Sequence, residues 1–307
     1  MIENFFPVAQ QVLVLFIFVL CGYVLGKTKL LDEAGVRTCS NIVLYVATPS
    51  LIISSYIREF SIDLLGELLL SILIAFLLHL VSIIAAHTIF RKDYDDTLRL
   101  RRFSIVFSNA GYMGLPLQVA LLGNMGVFLG ASYVAVFNIL VWTYGIYIMS
   151  KDKGSFSAKK LINPGLISVI IGLIIFVFSV PVPSVINSAL SGLASLNTPV
   201  PMIIVGYFMS KCNIKKLFTS KICYSIGVLR LVILPLTCLL GMYFFGVRGD
   251  MLVSMTIAAS TPVAAITSIF AVLYKADSKI SVNLISFTTH VSIITMPVIV
   301  SLAQFLA

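Results

Sequence analysis

Long apolar runs separated by short polar segments extend along almost the whole chain. Because roughly 20 consecutive apolar residues form a helix that crosses a bilayer, this pattern predicts an all-α polytopic membrane protein with ten transmembrane helices. The predicted spans are residues 6–26, 38–57, 64–90, 101–122, 126–149, 162–180, 185–210, 222–246, 250–274 and 282–306.

Several of these runs are interrupted by proline and polar residues, and the interruptions match between two halves of the chain. Thr48-Pro49 and Thr198-Pro199 lie 150 residues apart. The stretch from Asn109 to Pro116 has its counterpart in Ser260-Thr261-Pro262. A helix broken within the membrane exposes backbone N–H and C=O groups, so we expect it only where it is buried or lines a polar cavity. Matched breaks therefore predict the binding site of a secondary transporter.

The predicted spans divide into two sets of five, and this division sets the domain organisation. Residues 1–150 form the first repeat, residues 151–161 a basic cytoplasmic linker and residues 162–307 the second repeat. Since five is an odd number, the second repeat enters the membrane in the opposite sense to the first. The sequence thus predicts two inverted five-helix repeats, with broken helices 4 and 9 crossing near the middle of the bilayer.

Composition and charge agree with this class and orient the chain. Hydrophobic residues make up 59% and charged residues 11% of the sequence, and the mean hydropathy is +1.07. Eighteen of the 21 lysines and arginines lie in the odd-numbered loops, against two, Arg58 and Arg248, on the other side. The excess of basic residues predicts a plasma (inner) membrane protein whose two termini lie outside the cytoplasm. The net charge of +9 is dispersed over short loops, so nucleic-acid binding is not expected.

Two clusters of residues in the broken spans are the candidates for substrate binding. They are Asn109, Gly111, Met113, Gly114 and Pro116 in the fourth span, and Ser260, Thr261 and Pro262 in the ninth. Amide and hydroxyl groups combined with freed backbone groups are suited to a polar ligand in an apolar surrounding. The alternative is structural, because glycines allow close helix crossings and serine and threonine hydroxyls bond to their own helix.

A second set of residues is predicted to support this site. It consists of Thr48, Pro49, Asn197, Pro199, Pro201, Arg230 and His79. Arg230 is the one basic residue in the interior of a predicted span, where a charge needs a partner or a ligand, whereas Arg101 and Arg102 stand at the very start of theirs. Two interpretations of Arg230 stay open, a functional role at depth and an extended side chain that reaches the inner membrane surface. For His79 the alternatives are a proton relay and a packed, hydrogen-bonded side chain.

Other function classes lack their characteristic residues. The spans contain no centrally placed Asp or Glu, no H-E-x-x-H motif and no G-x-x-x-x-G-K-[ST] motif, so neither an enzyme nor an ATPase is predicted. The five cysteines form no C-x-x-C pair. They are interpreted as free thiols, and no metal site or cofactor is expected.

One motif connects the chain to a known family. The run from Asn109 to Leu117 resembles the N-x-x-x-M-G-x-P-L segment of auxin efflux carriers. Arg230 ahead of Pro235, the stretch from Gly246 to Asp250 and the proline-broken ninth span are also similar. The resemblance covers essentially the whole chain and is that of a short bacterial-type member, without the long central loop of many plant carriers.

The resemblance implies an inverted fold like that of bile acid symporters and some sodium/proton antiporters. Spans 1, 2, 6 and 7 would form a scaffold, and spans 3–5 and 8–10 a transport domain that moves by an elevator mechanism. The substrates of such carriers are small organic anions, including auxin-like compounds and dicarboxylates. The residues of the fourth and ninth spans would hold the carboxylate, with half-helix N-termini as donors.

The expected function is therefore secondary transport of a small organic anion across the lipid bilayer, with efflux favoured by an interior-negative potential. Two copies associating through the scaffold helices would form a homodimer. The alternative is a membrane ligand sensor that uses the crossing as a pocket without transport. An anion channel is a third reading, with Arg99, Arg101 and Arg102 at its mouth, against their interpretation as ordinary cytoplasmic-side residues.

Overall fold

The computed structural model of the protein describes residues 2–91, 96–150, 164–211 and 218–307, and the predicted linker at 151–161 lies outside them. These parts of the chain form helices joined by short turns, with an isolated antiparallel bridge between Ser108 and Val263. The helices of the first half are α1 (Ile2–Lys27), α2 (Glu33–Ile42), α3 (Thr48–Tyr56), α4 (Ile62–Ile89), α5 (Asp96–Val106), α6 (Leu115–Leu140) and α7 (Ile146–Met149). Those of the second half are α8 (Pro164–Val177), α9 (Ser184–Ala194), α10 (Pro199–Ser210), α11 (Lys221–Val228), α12 (Leu234–Phe244), α13 (Gly249–Ser260), α14 (Ile266–Leu273) and α15 (Ser278–Leu306).

Polar side chains determine where several helices begin. Asp32 and Ser61 accept hydrogen bonds from first-turn amides of α2 and α4, and Asp277 does the same for α15. Each cap satisfies an amide that has no partner within its own helix. The short loops between consecutive helices therefore have defined ends.

Prolines lie at the start of the helices that follow four irregular turns. Pro49, Pro116, Pro199 and Pro235 occupy the first turns of α3, α6, α10 and α12. Proline has no N–H to donate, so this position costs it no hydrogen bond. The preceding turns are π-helical at Val43–Ala47, Ala110–Gly114 and Leu229–Ile233 and 3₁₀ at Ser195–Asn197. The predicted breaks at Pro49 and Pro199 are thus irregular helical turns and not unwound segments.

The lengths of the helices are those of a polytopic membrane protein. Six helical segments of the described residues are long and apolar enough to cross a membrane, and two apolar helices are shorter, Leu13–Lys27 and Pro164–Val177. The six are Glu33–Tyr56, Ile62–Ile89, Ala110–Met149, Ser184–Ser210, Lys221–Phe244 and Ser278–Leu306. Within Ala110–Met149 the chain turns at Gly123, whose φ of 59° suits glycine. The predicted ninth span consists of two short helices, α13 and α14. The count of ten spans stays a prediction.

The described helices pack in two groups. In the first group α1 lies along α10, and α3 packs against α8 and α9. In the second, α6 lies against α4 and α13, and α15 lies against α11, α13 and α14. Contacts of α1 with α15 and of α3 with α6 join the two groups.

Helices α1 and α10 approach each other closely. A Cβ atom added to Gly206 would overlap the carbonyl oxygen of Val19, and one added to Gly22 would overlap the carbonyl oxygen of Ile203. Only a residue without a side chain allows two helix backbones to come this near. The pair α1 and α10 is therefore a tightly packed unit.

An apolar surface covers the outside of α4 and the adjoining part of α6. Leu69, Leu73 and Phe76 are about half exposed there, and with Val136 and Ile139 they line a shallow groove of about 400 Å³. In a bilayer such a surface faces acyl chains. The candidate site lies elsewhere, in the interior of the second group.

Candidate functional site

The two unwound segments meet inside the molecule and pair with each other. Helix α5 ends at Val106 and α13 ends at Ser260, and the chain beyond each helix runs extended. The backbone N–H of Asn109 donates to the Pro262 carbonyl at 2.8 Å, and the backbone N–H of Ala264 donates to the Phe107 carbonyl at 3.0 Å. Because this pairing is antiparallel, the two segments run in opposite directions where they meet at Ser108 and Val263, and this place is the crossing. Each break thus supplies the hydrogen-bond partners that the other lacks.

Arg230 lies behind this crossing and is buried, with 1% of its surface exposed. Its guanidinium donates to the carbonyls of Ile105 and Ala259, each at 2.9 Å, and to that of Thr261 at 3.2 Å. These carbonyls belong to the C-terminal ends of α5 and α13, which lack partners within their helices and carry partial negative charge. The interpretation of Arg230 as a side chain that reaches the membrane surface is therefore wrong.

A row of aromatic and polar side chains extends from Arg230. The phenol of Tyr133 lies near the guanidinium, and its hydroxyl is 3.1 Å from the Ser108 hydroxyl. The His79 ring packs on Tyr133, with 4.5 Å between the ring centroids. His79 Nδ1 lies 2.8 Å from the Ala75 carbonyl, so this nitrogen carries a proton. His79 Nε2 is buried without a hydrogen-bond partner among the described residues.

Comparison with known proteins identifies the class of the molecule. A family profile described as "Membrane transport protein" matches residues 7–300. The chain belongs to this family, that of the auxin efflux carriers. The resemblance found in the Asn109–Leu117 motif is thereby confirmed. The protein is a multi-pass membrane transport protein, and this membership points to transport rather than catalysis.

Two archaeal transporters are similar to this transporter over nearly their full length. An uncharacterized transporter of Methanocaldococcus jannaschii is 26% identical over 299 residues, which cover 93% of this chain and 95% of the relative. An uncharacterized transporter of Methanothermobacter thermautotrophicus is 24% identical over 295 residues, which cover 94% and 96%. The similarity therefore extends across both halves of the transporter and both broken segments.

Gly111 lies at the accessible edge of the crossing, and the buried Asn109 lies two residues before it. Asn109 is 6% exposed, and its side-chain amide makes no hydrogen bond with the described residues, although its backbone is bonded on both sides. Gly111 is partly exposed, and a Cβ atom placed there would meet no atom within 4 Å. An amide without a partner thus lies two residues from open space at the start of the helical segment that leads into α6.

The remaining candidates of the fourth span form the contact between the broken helices. Met113, Gly114 and Pro116 are all buried. A Cβ atom on Gly114 would lie 3.6 Å from the Thr261 side chain and 3.7 Å from the Ala258 Cα atom. These residues hold α6 against α13, and they do not reach the open edge.

The candidates of the ninth span are fully enclosed in this conformation of the transporter. Ser260 and Thr261 have no exposed surface, and their hydroxyls donate to the Ile257 and Ala258 carbonyls of α13 at 3.0 and 2.9 Å. The carbonyl of Pro262 accepts the hydrogen bond from the backbone N–H of Asn109. Both hydroxyl protons are therefore engaged within the helix, and a role of these residues in holding substrate stays a prediction.

The irregular turns of the second and seventh predicted spans contact each other. The Thr48 hydroxyl donates to Asn197 Oδ1 at 2.6 Å, and both residues are buried. Asn197 Nδ2 has no partner among the described residues. Pro49, Pro199 and Pro201 lie in the adjoining first turns of α3 and α10. Five of the predicted supporting residues are thus brought together, and Arg230 and His79 lie apart from them behind the crossing.

Three polar residues of the site region were not predicted. Tyr133 and Ser108 connect the crossing to His79, and Gln118 Nε2 donates to the carbonyl and hydroxyl oxygens of Ser254 at 2.9 and 3.0 Å, joining α6 to α13. Gln118 is an isolated polar residue in an apolar run, which is the signal that could have identified it, whereas Ser108 and Tyr133 adjoin other polar residues, Asn109 and Ser132. The described residues contain no group of three or more His, Cys, Asp or Glu side chains able to hold a metal ion.

Proposed function

We propose that this protein is a secondary transporter of small organic anions whose substrate binds at the crossing of the broken helices. The observation that carries the proposal is the free side-chain amide of Asn109 next to the open space at Gly111. An amide NH₂ group offers two donors to a carboxylate. Organic anions of the auxin and dicarboxylate type are the proposed substrate class.

The electrostatics of the crossing support binding of an anion. The helical segment that begins at Ala110 starts at the crossing, and so does α14 after the short turn that follows Pro262. The first amides of a helix have no intrahelical partners and carry partial positive charge. The opposite helix ends, those of α5 and α13, are occupied by Arg230. The groups left to face a ligand are therefore mainly donors, which suits a carboxylate.

We further propose that transport follows an elevator mechanism within two inverted repeats. The scaffold would consist of the helices of spans 1, 2, 6 and 7, and the transport domain of the remaining spans. Two observations support this division, the packing of α1 on α10 and of α3 on α8 and α9, and the antiparallel pairing of the broken segments within the other group. The Ala110–Gly114 turn also contacts α10, so the proposed substrate edge adjoins the proposed scaffold.

Direction, orientation and assembly are proposed on general grounds. An interior-negative potential favours exit of an anion by about 2.3 kcal/mol per charge per 100 mV, so we propose efflux.

The excess of basic residues in alternate loops favours an orientation in a plasma (inner) membrane with both termini outside the cytoplasm. We also propose that two copies pair through the scaffold helices, where Ile167, Ile170 and Ile174 of α8 are exposed and available to a second copy or to lipid.

The proposal is tested by flux of labelled malate, malonate and indole-3-acetate in proteoliposomes under an imposed membrane potential. We expect saturable flux in the wild type and a loss of at least tenfold in Asn109→Ala, since one charge-assisted hydrogen bond is worth about 1.5–3 kcal/mol. The control is Asn187→Ala, the same substitution at an exposed position on α9, which should transport like the wild type.

Other outcomes of this experiment contradict the proposal in distinct ways. Equal flux in Asn109→Ala and Asn187→Ala would remove the crossing as the substrate site. Saturable binding of an anion without any flux would replace transport by the sensor function. Flux that grows linearly with concentration and does not saturate would favour a channel.

A further inference from the structure

Arg230 is surrounded by carbonyl oxygens in the way that a bound metal cation would be, and its own guanidinium is the cation. Three backbone carbonyl oxygens, those of Ile105, Ala259 and Thr261, converge on one buried guanidinium. In membrane carriers with broken helices, unwound carbonyls and the C-terminal ends of half-helices are the groups that coordinate a coupling ion such as Na⁺. Here the same kind of oxygen cluster is filled by a side chain.

The charges at this position balance without an external ion. The C-terminal end of a helix carries roughly −0.5 of an elementary charge, and the ends of α5 and α13 both face Arg230. Their sum is about −1, which the single positive charge of a guanidinium matches. An arginine keeps this charge at any physiological pH. The balance is therefore permanent and does not depend on a gradient.

Acidic side chains that could attract a further cation lie away from the crossing. Within the described part of the chain, the acidic residues whose exposure is known are all partly or fully exposed in loops or in the first two turns of helices. These residues are Asp32, Glu33, Glu59, Asp63, Glu67, Asp250 and Asp277. Two buried neighbours of the guanidinium, Tyr133 and Cys238, carry no carboxylate.

We propose that Arg230 is a resident cation that takes the place of a coupling ion between the two broken helices, and that its removal creates a site for a free monovalent cation. One consequence rests on the proposed function, namely that anion flux of the wild type is independent of Na⁺ and K⁺. The other consequence, a cation site in the Arg230→Ala variant, concerns only binding and folding.

The first test measures thermal unfolding of detergent-purified protein in chloride salts of Na⁺, K⁺, choline and, at millimolar concentration, guanidinium. The wild type should unfold at the same temperature in all four. Arg230→Ala should unfold earlier than the wild type in choline and gain about 2–4 °C or more in Na⁺ or guanidinium, because a ligand that binds only the folded state stabilises it. Arg248→Ala, which removes an exposed arginine that stacks on Tyr243, is the matched control and should show no cation effect.

The second test measures anion flux with the same set of cations. The flux of the wild type should be the same in Na⁺, K⁺ and choline, and so should the flux of Arg230→Lys whatever its absolute rate, because both side chains keep a fixed positive charge. Arg230→Ala should be inactive in choline and regain flux in guanidinium or Na⁺. Rescue by a free cation is a result that a purely structural role in packing would not produce.

Several results would overturn the inference. One is a wild type whose unfolding temperature or flux depends on Na⁺. Another is an Arg230→Ala variant that is indifferent to all four cations. If Arg230→Ala cannot be purified, Arg230→Lys decides, since Na⁺-dependent flux or unfolding in that variant would contradict a resident charge. If the wild type carries none of the tested anions, the proposed function fails, while the unfolding measurements still decide the cation site.

Discussion

The hydrogen bond between Thr48 and Asn197 connects the irregular turns of the two halves at a buried position. Removing the hydroxyl leaves Asn197 Oδ1 without its donor, while Nδ2 already has no partner among the described residues. We expect Thr48→Val to lower the free energy of unfolding by about 1–3 kcal/mol, the usual cost of a buried polar atom without a partner. Chemical unfolding in detergent measures it.

The matched control for this bond is Thr38→Val. Thr38 is exposed on α2, and its hydroxyl donates to the Ala34 carbonyl of its own helix. Loss of that bond should change the unfolding free energy by less than about 0.5 kcal/mol. Unfolding of Thr48→Val at the same denaturant concentration as Thr38→Val would contradict the importance of the buried pair.

Arg230 illustrates what a sequence leaves open at the residue scale. Its position about eight residues into the predicted eighth span fits a side chain that reaches the membrane surface and equally one that points inward. The choice depends on the rotation of that helix and on the location of its acceptors, the carbonyls of Ile105 and Ala259. Both acceptors lie on other helices, one of them 125 residues away, so local pattern does not specify it.

At the scale of elements, the packing of α1 on α10 depends on two glycines. In Gly206→Ala the new methyl group would overlap the backbone of α1 at Val19. We expect the helices to be forced apart, with a loss of about 1–3 kcal/mol in the free energy of unfolding. The same substitution in Gly192→Ala, on α9 where no atom lies within 4 Å, should be neutral or stabilising by up to about 1 kcal/mol. Equal stability of the two variants would show that the close approach does not exist.

The helix breaks were predictable in part. Proline marks each of four predicted interruptions, so those at Pro49, Asn109–Pro116, Pro199 and Ser260–Pro262 follow from the sequence. The sequence does not tell which of these interruptions unwind, because an extended segment in a membrane needs a partner for its backbone. The segments around Ser108 and Val263 provide that partner for each other, through the hydrogen bonds of Asn109 to Pro262 and of Ala264 to Phe107. The turns before Pro49 and Pro199 instead keep helical bonds of altered spacing.

At the scale of the whole molecule, family and class could be predicted and the positions of the site residues could not. The Asn109–Leu117 motif identified the family that the profile over residues 7–300 shows. The sequence treated Ser260 and Thr261 as equals of Asn109, yet their hydroxyls are engaged in α13 while the Asn109 amide is free. The hydroxyl bonds are local to α13 and correspond to the structural alternative that the sequence left open. Whether the Asn109 side chain finds a partner depends on the elements packed around it, which requires the three-dimensional structure.

The central claim is that the open edge at Gly111 is the path of the substrate. Gly111 is suited to a direct test, because a side chain there meets no atom within 4 Å and should not disturb folding. The measurement is the labelling rate of Gly111→Cys by a membrane-impermeant thiol reagent, added to either side of the membrane. The five native cysteines are replaced by serine in this variant. The matched control is Gly192→Cys on the exposed surface of α9.

We predict that Gly111→Cys is labelled from both sides of the membrane, that a transported anion slows labelling from each side, and that the labelled protein no longer carries anion. Labelling of the control should be unaffected by anion. Labelling of Gly111→Cys from one side only, at a rate that no anion changes and with flux retained afterwards, would contradict alternating access at the crossing.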